Sequence, residues 1–295
     1  MAKEIELKLA LGQSGAQRLA AHPRLAGLSA RHETLTNTYY DTPDGELERH
    51  RVALRLRRTP QRILQTLKTA GEGSGGLSSR GEWEWPVSEH VLDLAGLEAL
   101  APMQALGRDV LLALEPRFAT DFARTSWLVE DAETAIEVAL DQGEIRAGSH
   151  RVAIDELELE LKRGAPSVLW RFAETLAEEV ALRPANASKA ARGAALCTGH
   201  WPAITTNSGA ELRAATPRQR CDRAIAALDA LGEGGESEGL SRAREAFASL
   251  AEDTGLATAI RQPARRLAAA LDEPQWLTPS FGQHSLALLA ALDAR

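Results

Sequence analysis

The sequence predicts an α+β chain in which an antiparallel sheet closes into a barrel beneath covering helices and a small all-α region follows. Three observations carry that expectation. The pattern carboxylate, aliphatic, carboxylate, aliphatic, lysine occurs twice, as Glu4-Ile5-Glu6-Leu7-Lys8 and as Glu158-Leu159-Glu160-Leu161-Lys162. Successive side chains of a strand point to opposite faces, so each copy sorts its charges onto one face and its aliphatic residues onto the other. Other runs are polarised in the same way: Arg51, Arg55 and Arg57, then Arg80, Glu82 and Glu84, with Glu156 extending the second acidic row. Beyond Leu196 the composition shifts to alanine, leucine and arginine in helical periods. One wet face explains any single strand of this kind. Several strands mixing acids and bases in one register point to closure, which turns scattered surface charge into a polar tunnel with its apolar residues facing outward.

The elements follow in order. Residues 3–9 read as a strand and 12–27 as a helix carrying Leu19 and Leu25. Thr36 to Asp41 is extended, Thr42-Pro43-Asp44-Gly45 is a turn, and Val52 to Arg57 alternates as a strand. Ile63 to Thr69 is the next strand, Gly71 to Gly76 a connection, and Arg80 to Trp85 a further strand whose Trp83 and Trp85 have outward parity. Val91 to Leu114 is mostly helical. Strands resume at Arg117–Val129, Thr134–Asp141, Glu144–Ala147 and Ile154–Lys162, with Asp141-Gln142-Gly143 as a turn. Pro166 opens an amphipathic helix to about Leu182, and Ser188 caps another. The short connections make most strand pairs antiparallel. Residues 1–198 form the expected first domain, 199–216 a linker, and 217–295 a helical domain with helices near 217–231, 238–254, 256–271 and 283–294.

Composition narrows the function. A length of 295 residues with 44% hydrophobic content allows a substantial core and more than one domain. The formal charge of −7 argues against nonspecific duplex nucleic-acid binding. No apolar run is long enough for a bilayer, and no leader pattern opens the chain, so a cytoplasmic location without a membrane partner is expected. Cys197 and Cys221 have no metal-like spacing, and the seven histidines form no HExxH motif, which leaves zinc hydrolase chemistry without support. Of 34 basic residues, lysine occupies only positions 3, 8, 68, 162 and 189. Such selectivity suits sites where a compact ammonium meets phosphate. If the two pentads face one interior, at least four carboxylates meet there, and a divalent cation is the natural counter-charge.

Ordered motifs sharpen this. Glu4-x-Glu6-x-Lys8, Tyr40-Asp41-Thr42-Pro43, Ala53-Leu54-Arg55-x-Arg57, Leu67-Lys68, Glu156-x-Glu158-x-Glu160 and Ser188-Lys189-Ala190-Ala191-Arg192-Gly193 resemble the motif series of the CYTH domain, the triphosphate tunnel metalloenzymes. The resemblance spans roughly residues 1–198 and is nearest to the bacterial inorganic triphosphatase branch. It implies an eight-stranded antiparallel tunnel, a small-molecule triphosphate substrate, and dependence on Mg2+ or Mn2+. Carried onto this chain, it makes Glu4, Glu6, Glu156, Glu158 and Glu160 the metal-binding acids. Lys8, Arg55, Arg57, Lys68, Arg124, Lys189 and Arg192 become the groups holding phosphate oxygens. Glu82 or Glu84 is a candidate to orient or deprotonate the attacking water, while Lys162 is expected beyond the tunnel mouth. The implied reaction is hydrolysis of inorganic triphosphate to pyrophosphate and phosphate. Alternatives are an adenylate cyclase, a nucleotide or thiamine triphosphatase, and a polyphosphate-binding module without catalysis; retained acids weigh against the last, since an inert anion tunnel binds better without them.

Overall fold

A computed structural model describes residues 2–69, 71, 73, 75–199, 209–231 and 238–293. The barrel strands are β1 (Ala2–Leu11), β2 (Arg31–Asp41), β3 (Ala53–Arg58), β4 (Ile63–Lys68), β5 (Leu77–Val87), β6 (Glu115–Glu130), β7 (Ala135–Ala147) and β8 (His150–Arg163). Their order is β5-β4-β3-β2-β6-β7-β8-β1, and β1 pairs in turn with β5. Eight antiparallel strands therefore close on themselves, and the short β9 (Leu182–Pro184) adds to β1 beyond the seam.

Parity decides what lies inside and outside. Leu7, Leu9, Val138, Leu140, Leu157 and Leu159 project outward into a core shared with Leu169, Phe172 and Leu176 of helix α6 (Ser167–Leu176). On the far side Leu54, Leu67, Trp83 and Trp85 pack with Leu97, Met103 and Leu111, so the two tryptophans do meet covering helices. Fully burying one such aliphatic side chain is worth about 1.5–3 kcal/mol. The inward parity carries charge along most of the barrel and turns apolar only toward one end, where Leu35, Phe122, Ile145 and Ile154 meet Phe118 and Leu196. Leu196 belongs to α7 (Lys189–Thr198), which Ser188 caps by accepting a hydrogen bond from the Ala191 N–H. Gly193 lets that helix close on the barrel: a Cβ there would lie 2.1 Å from the Phe118 ring.

The remaining helices are α1 (Gly15–Ala21), α2 (Glu46–Arg49), α3 (Leu94–Glu98), α4 (Ala101–Leu106) and α5 (Arg108–Leu112) before β6. After α7 come α8 (Gly209–Ala214), α9 (Pro217–Leu231), α10 (Gly239–Glu252), α11 (Thr258–Ala270) and α12 (Pro279–Asp293). The last four surround a second core that includes Phe247, Leu250, Leu267, Phe281 and Leu289. Leu286 of α12 reaches the barrel's own core instead. No helix among the described residues is long and apolar enough to cross a membrane.

Several sequence expectations are corrected. The helix expected over 12–27 is confined to α1, because Pro23 forces His22 into an extended conformation at ψ 134°. The helical stretch 91–114 breaks into three pieces, with Gly107 at φ +91° between the last two. Asp141-Gln142-Gly143 is no turn: β7 runs straight through it, and Gly143 sits against β6, where a Cβ would approach the Asp121 carbonyl to 2.1 Å. Helix α6 stops at Leu176, and Leu182 pairs with Leu11 in β9. Arg51 lies in a turn before β3 with φ +56°, out of register with Arg55 and Arg57. Helix α8 lies within the stretch expected as a linker, whose residues 200–208 fall outside the described ones, as do 232–237 between the helices expected over 217–231 and 238–254.

Candidate functional site

The interior cavity has a volume of about 320 Å³. Ten basic and eight acidic side chains line it, a local excess of positive charge inside a chain of formal charge −7. Both acidic pentads contribute, and their placement is more specific than opposition across a tunnel. Strands β1 and β8 are hydrogen-bonded neighbours in which Glu6 stands beside Glu160, Lys8 beside Glu158 and Ala10 beside Glu156. On the other flank of β1, Glu4 pairs in register with Arg80 of β5. The carboxylates therefore form one wall.

That wall is heavily neutralised. Glu4 accepts from Lys68 at 2.8 Å and from Arg80 at 2.8 Å, and Arg80 also reaches Glu6 at 2.7 Å. Burial alone would raise the Glu4 carboxyl, but Lys68 and Arg80 outweigh it and hold it at about 2. Glu158 receives Lys8 at 3.0 Å, Lys189 at 3.1 Å and Arg124 at 2.6 Å. Against burial, these three keep its carboxyl well below the usual range. Lys8 is buried, which would lower it, yet Glu158 and Glu6 hold its ammonium above the ordinary lysine value. Glu160 differs: burial raises its carboxyl, with Glu4 and Glu137 adding repulsion against the single ammonium of Lys162 at 2.7 Å.

The wall contributed by β2 and β3 is the reverse. Arg55 is buried, donates to the Tyr39 hydroxyl at 3.3 Å, and keeps an Nε with no partner. Arg57 donates through Nε to Asn37 at 2.9 Å, and Asn37 is held in turn by Thr120. Neither guanidinium has a carboxylate within ion-pair distance among the described residues. Burial, with Arg55 and Arg124 beside it, brings Arg57 down to about 10, still fully charged at neutral pH. Two neighbouring guanidiniums, one buried and one half-buried, thus face the cavity with capacity left for an anion.

Among the expected residues, Glu4, Glu6, Lys8, Arg55, Arg57, Lys68, Glu82, Glu84, Arg124, Glu158, Glu160 and Lys189 all line this cavity. Glu156 and Arg192 stand outside the lining; Glu156 is bonded to Lys189 and lies 3.4 Å from Arg192. Lys162 is on the lining after all, 38% exposed at its side chain and paired with Glu160 and Glu137. Glu82 lies 3.3 Å from Lys68, and the exposed Glu84 accepts from Thr66 at 2.9 Å.

Sequence reasoning put Arg80 on the polar face without a role and missed Glu137, Tyr39 and Asp141. Glu137 carries the inward parity of its strand, a signal that was there to use. Asp141 is fully buried, chelated by Arg124 at 2.6 and 2.7 Å and by Lys189 at 2.6 Å. With Glu156 and Glu158 it forms a three-carboxylate group close enough to share a cation. Lys189 already bonds all three members. The carboxylates of Glu4, Glu6, Glu158 and Glu160 line the cavity and offer oxygen donors of the kind hard divalent ions take.

Comparison with known proteins agrees with this geometry. A family model described as the CYTH domain matches residues 2–194. An inorganic triphosphatase of Haemophilus influenzae is 42% identical over 195 residues, which are 65% of this chain and 54% of that protein. The chain thus spans about half the length of this curated relative. A solved Hippeastrum structure, described as an adenylyl cyclase candidate with a dominant triphosphatase activity, superposes with a TM-score of 0.50 at 20% identity. That superposition covers 67% of this chain and 96% of the other, and it bears on the fold alone.

Proposed function

The chain belongs to the CYTH-domain family, and on that premise we propose that it is a metal-dependent hydrolase of inorganic triphosphate, acting in the cytoplasm on Mg2+- or Mn2+-bound tripolyphosphate. The observation that carries the reading is the pair Arg55, buried, and Arg57, half-buried, without carboxylate partners among the described residues and facing a wall of carboxylates across one cavity. Triphosphate supplies the anion that the arginines lack. Lys8, Lys68, Arg124 and Lys189 are positioned to exchange carboxylate partners for phosphate oxygens, and Arg192 supports them from outside the lining.

Glu4, Glu6, Glu158 and Glu160 would hold the divalent cation, with Glu156 behind them. Once bound, such an ion neutralises phosphate charge and acidifies coordinated water. The chain's own groups orient the substrate, with its terminal phosphorus toward β5. Water attacks that phosphorus, the bond from phosphorus to the bridging oxygen breaks, and pyrophosphate leaves as orthophosphate forms. Glu82 or Glu84 takes the water's proton; Glu82 is the better placed, being less exposed and set beside Lys68.

The test offers the purified chain tripolyphosphate, ATP and thiamine triphosphate with Mg2+, Mn2+ or chelator. Orthophosphate and pyrophosphate from tripolyphosphate, abolished by chelator, are expected. Cyclic nucleotide as the main product, or tight binding without turnover, would replace this reading. Glu4→Gln should lower kcat by about 100-fold while KM changes far less, because a lost ligand for transition-state charge affects turnover more than ground-state binding.

A further inference from the structure

Strand β1 changes neighbour in the middle of the site. Ala2 to Leu7 pair with β5, Leu9 to Leu11 pair with β9, and Lys8 stands at the junction. Its backbone is completed by two segments outside either strand: the Lys8 N–H donates to the Gly76 carbonyl at 2.9 Å, and its carbonyl accepts from the Ala185 N–H at 3.1 Å. A barrel is weakest where a strand leaves one partner for another, and here that point carries a site lysine.

Both segments are held from a single helix outside the barrel. Asp222 and Asp229 of α9 are seven residues apart, two turns, and share a face. Asp222 accepts the Gly75 N–H at 3.1 Å. Asp229 accepts the N–H groups of Asn186 at 2.8 Å and Ala187 at 3.0 Å, while its other oxygen takes Arg183 at 2.6 Å. The Asn186 side chain accepts from the Gly76 N–H at 2.7 Å, tying the two segments together. Three residues after Asn186, Lys189 begins α7 with its ammonium among the site carboxylates. Arg183 and Asp229 are each 7% exposed, so neither charge is readily satisfied by water.

We propose that α9 clamps the closing seam of the tunnel, with Asp229 positioning Lys189 and Asp222 positioning Lys8, so that the helical region sets the geometry of the site. The substrate-binding consequence rests on the triphosphatase reading; the clamp itself does not. Asp229→Asn keeps the shape and an acceptor oxygen but leaves Arg183 without its counter-charge. Asp222→Asn is the milder partner.

The experiment compares full-length wild type, D229N, D222N and, as control, Arg244→Gln on the exposed pair Arg244–Asp272. It measures tripolyphosphate turnover and amide hydrogen exchange at Lys8 and at residues 185–189. D229N is expected to raise KM by about tenfold with kcat changed much less, the value of one misplaced charge-assisted hydrogen bond. Exchange should accelerate at Lys8 and 185–189 but not in β6 and β7. D222N should shift both readouts in the same direction by less, and R244Q neither. Folded D229N and D222N with wild-type KM and exchange would overturn the clamp. If D229N does not fold, D222N decides alone: raised KM with faster exchange at Lys8 supports the clamp, and wild-type values overturn it. If the wild type turns over no tripolyphosphate, the triphosphatase reading fails, while exchange at Lys8 and 185–189 in the variants still decides the clamp by the same criterion.

Discussion

The two walls of the tunnel are built from the same kinds of residue and balanced in opposite ways. On β1 and β8 the carboxylates are met by cations at 2.6–3.1 Å, as at Glu158 with Arg124, Lys8 and Lys189. On β3, Arg55 and Arg57 meet a phenol and an amide. The first wall is largely neutralised from within, Glu160 apart, and the two arginines of the second are not. Removing one member of a buried ion pair leaves its partner's charge uncompensated, whereas an arginine without a carboxylate partner leaves no such orphan behind. The lesson is that charge type says little without its partner.

Two arginines put that contrast to its hardest test. Arg124→Met removes the two-pronged partner of fully buried Asp141 and one partner of Glu158, leaving Asp141 to Lys189, and should destabilise the protein by about 3 kcal/mol in denaturant unfolding. Arg57→Met relieves like-charge repulsion and gives up one hydrogen bond, so its cost should not exceed about 1 kcal/mol. The same substitution should weaken tripolyphosphate binding by about 100-fold in calorimetry, as two charge-assisted contacts are lost. Equal destabilisation by the two variants would erase the distinction between the walls. Lys68→Ala is intermediate, because its ammonium serves Glu4 now and phosphate later; an increase in KM of about tenfold is expected from steady-state kinetics.

The last expectation concerns acid. Glu4 is held at about 2 in the folded chain against an ordinary value of 4.5. A depressed carboxylate stabilises the fold fully above its unfolded value and loses that contribution as pH falls through the folded one. The thermal midpoint should therefore decline between about pH 4.5 and pH 2. Glu4→Gln should flatten this part of the profile, and an unchanged slope would show that Lys68 and Arg80 do not hold Glu4 ionised.

Much of this arrangement was legible before any coordinates. Period-two alternation was enough to put Glu4, Glu6 and Lys8 on one face and Leu7 and Leu9 on the other, since a register slip would reverse both sets together. It did not reveal that the two pentads are neighbours, because pairing is decided by the whole closed order of strands. Asp141 escaped because Asp-Gln-Gly has turn chemistry; only the close approach of β6 explains why the glycine is there. Arg80 was seen on the correct face, but its role depends on Glu4 and Glu6, which lie over 70 residues away in sequence. The hold of α9 on the seam was beyond sequence reasoning altogether, since Asp222 and Asp229 look like ordinary polar positions on a surface helix.

The scarcity of lysine has a practical side. Four of the five lysines, Lys8, Lys68, Lys162 and Lys189, stand on the cavity wall, and the basic residues elsewhere are almost all arginine. An amine-directed reagent applied to the folded protein thus meets four of the five lysines on the cavity wall. Labelling at Lys162, on the rim, and Lys68, further in, becomes a direct gauge of whether the channel is filled or empty.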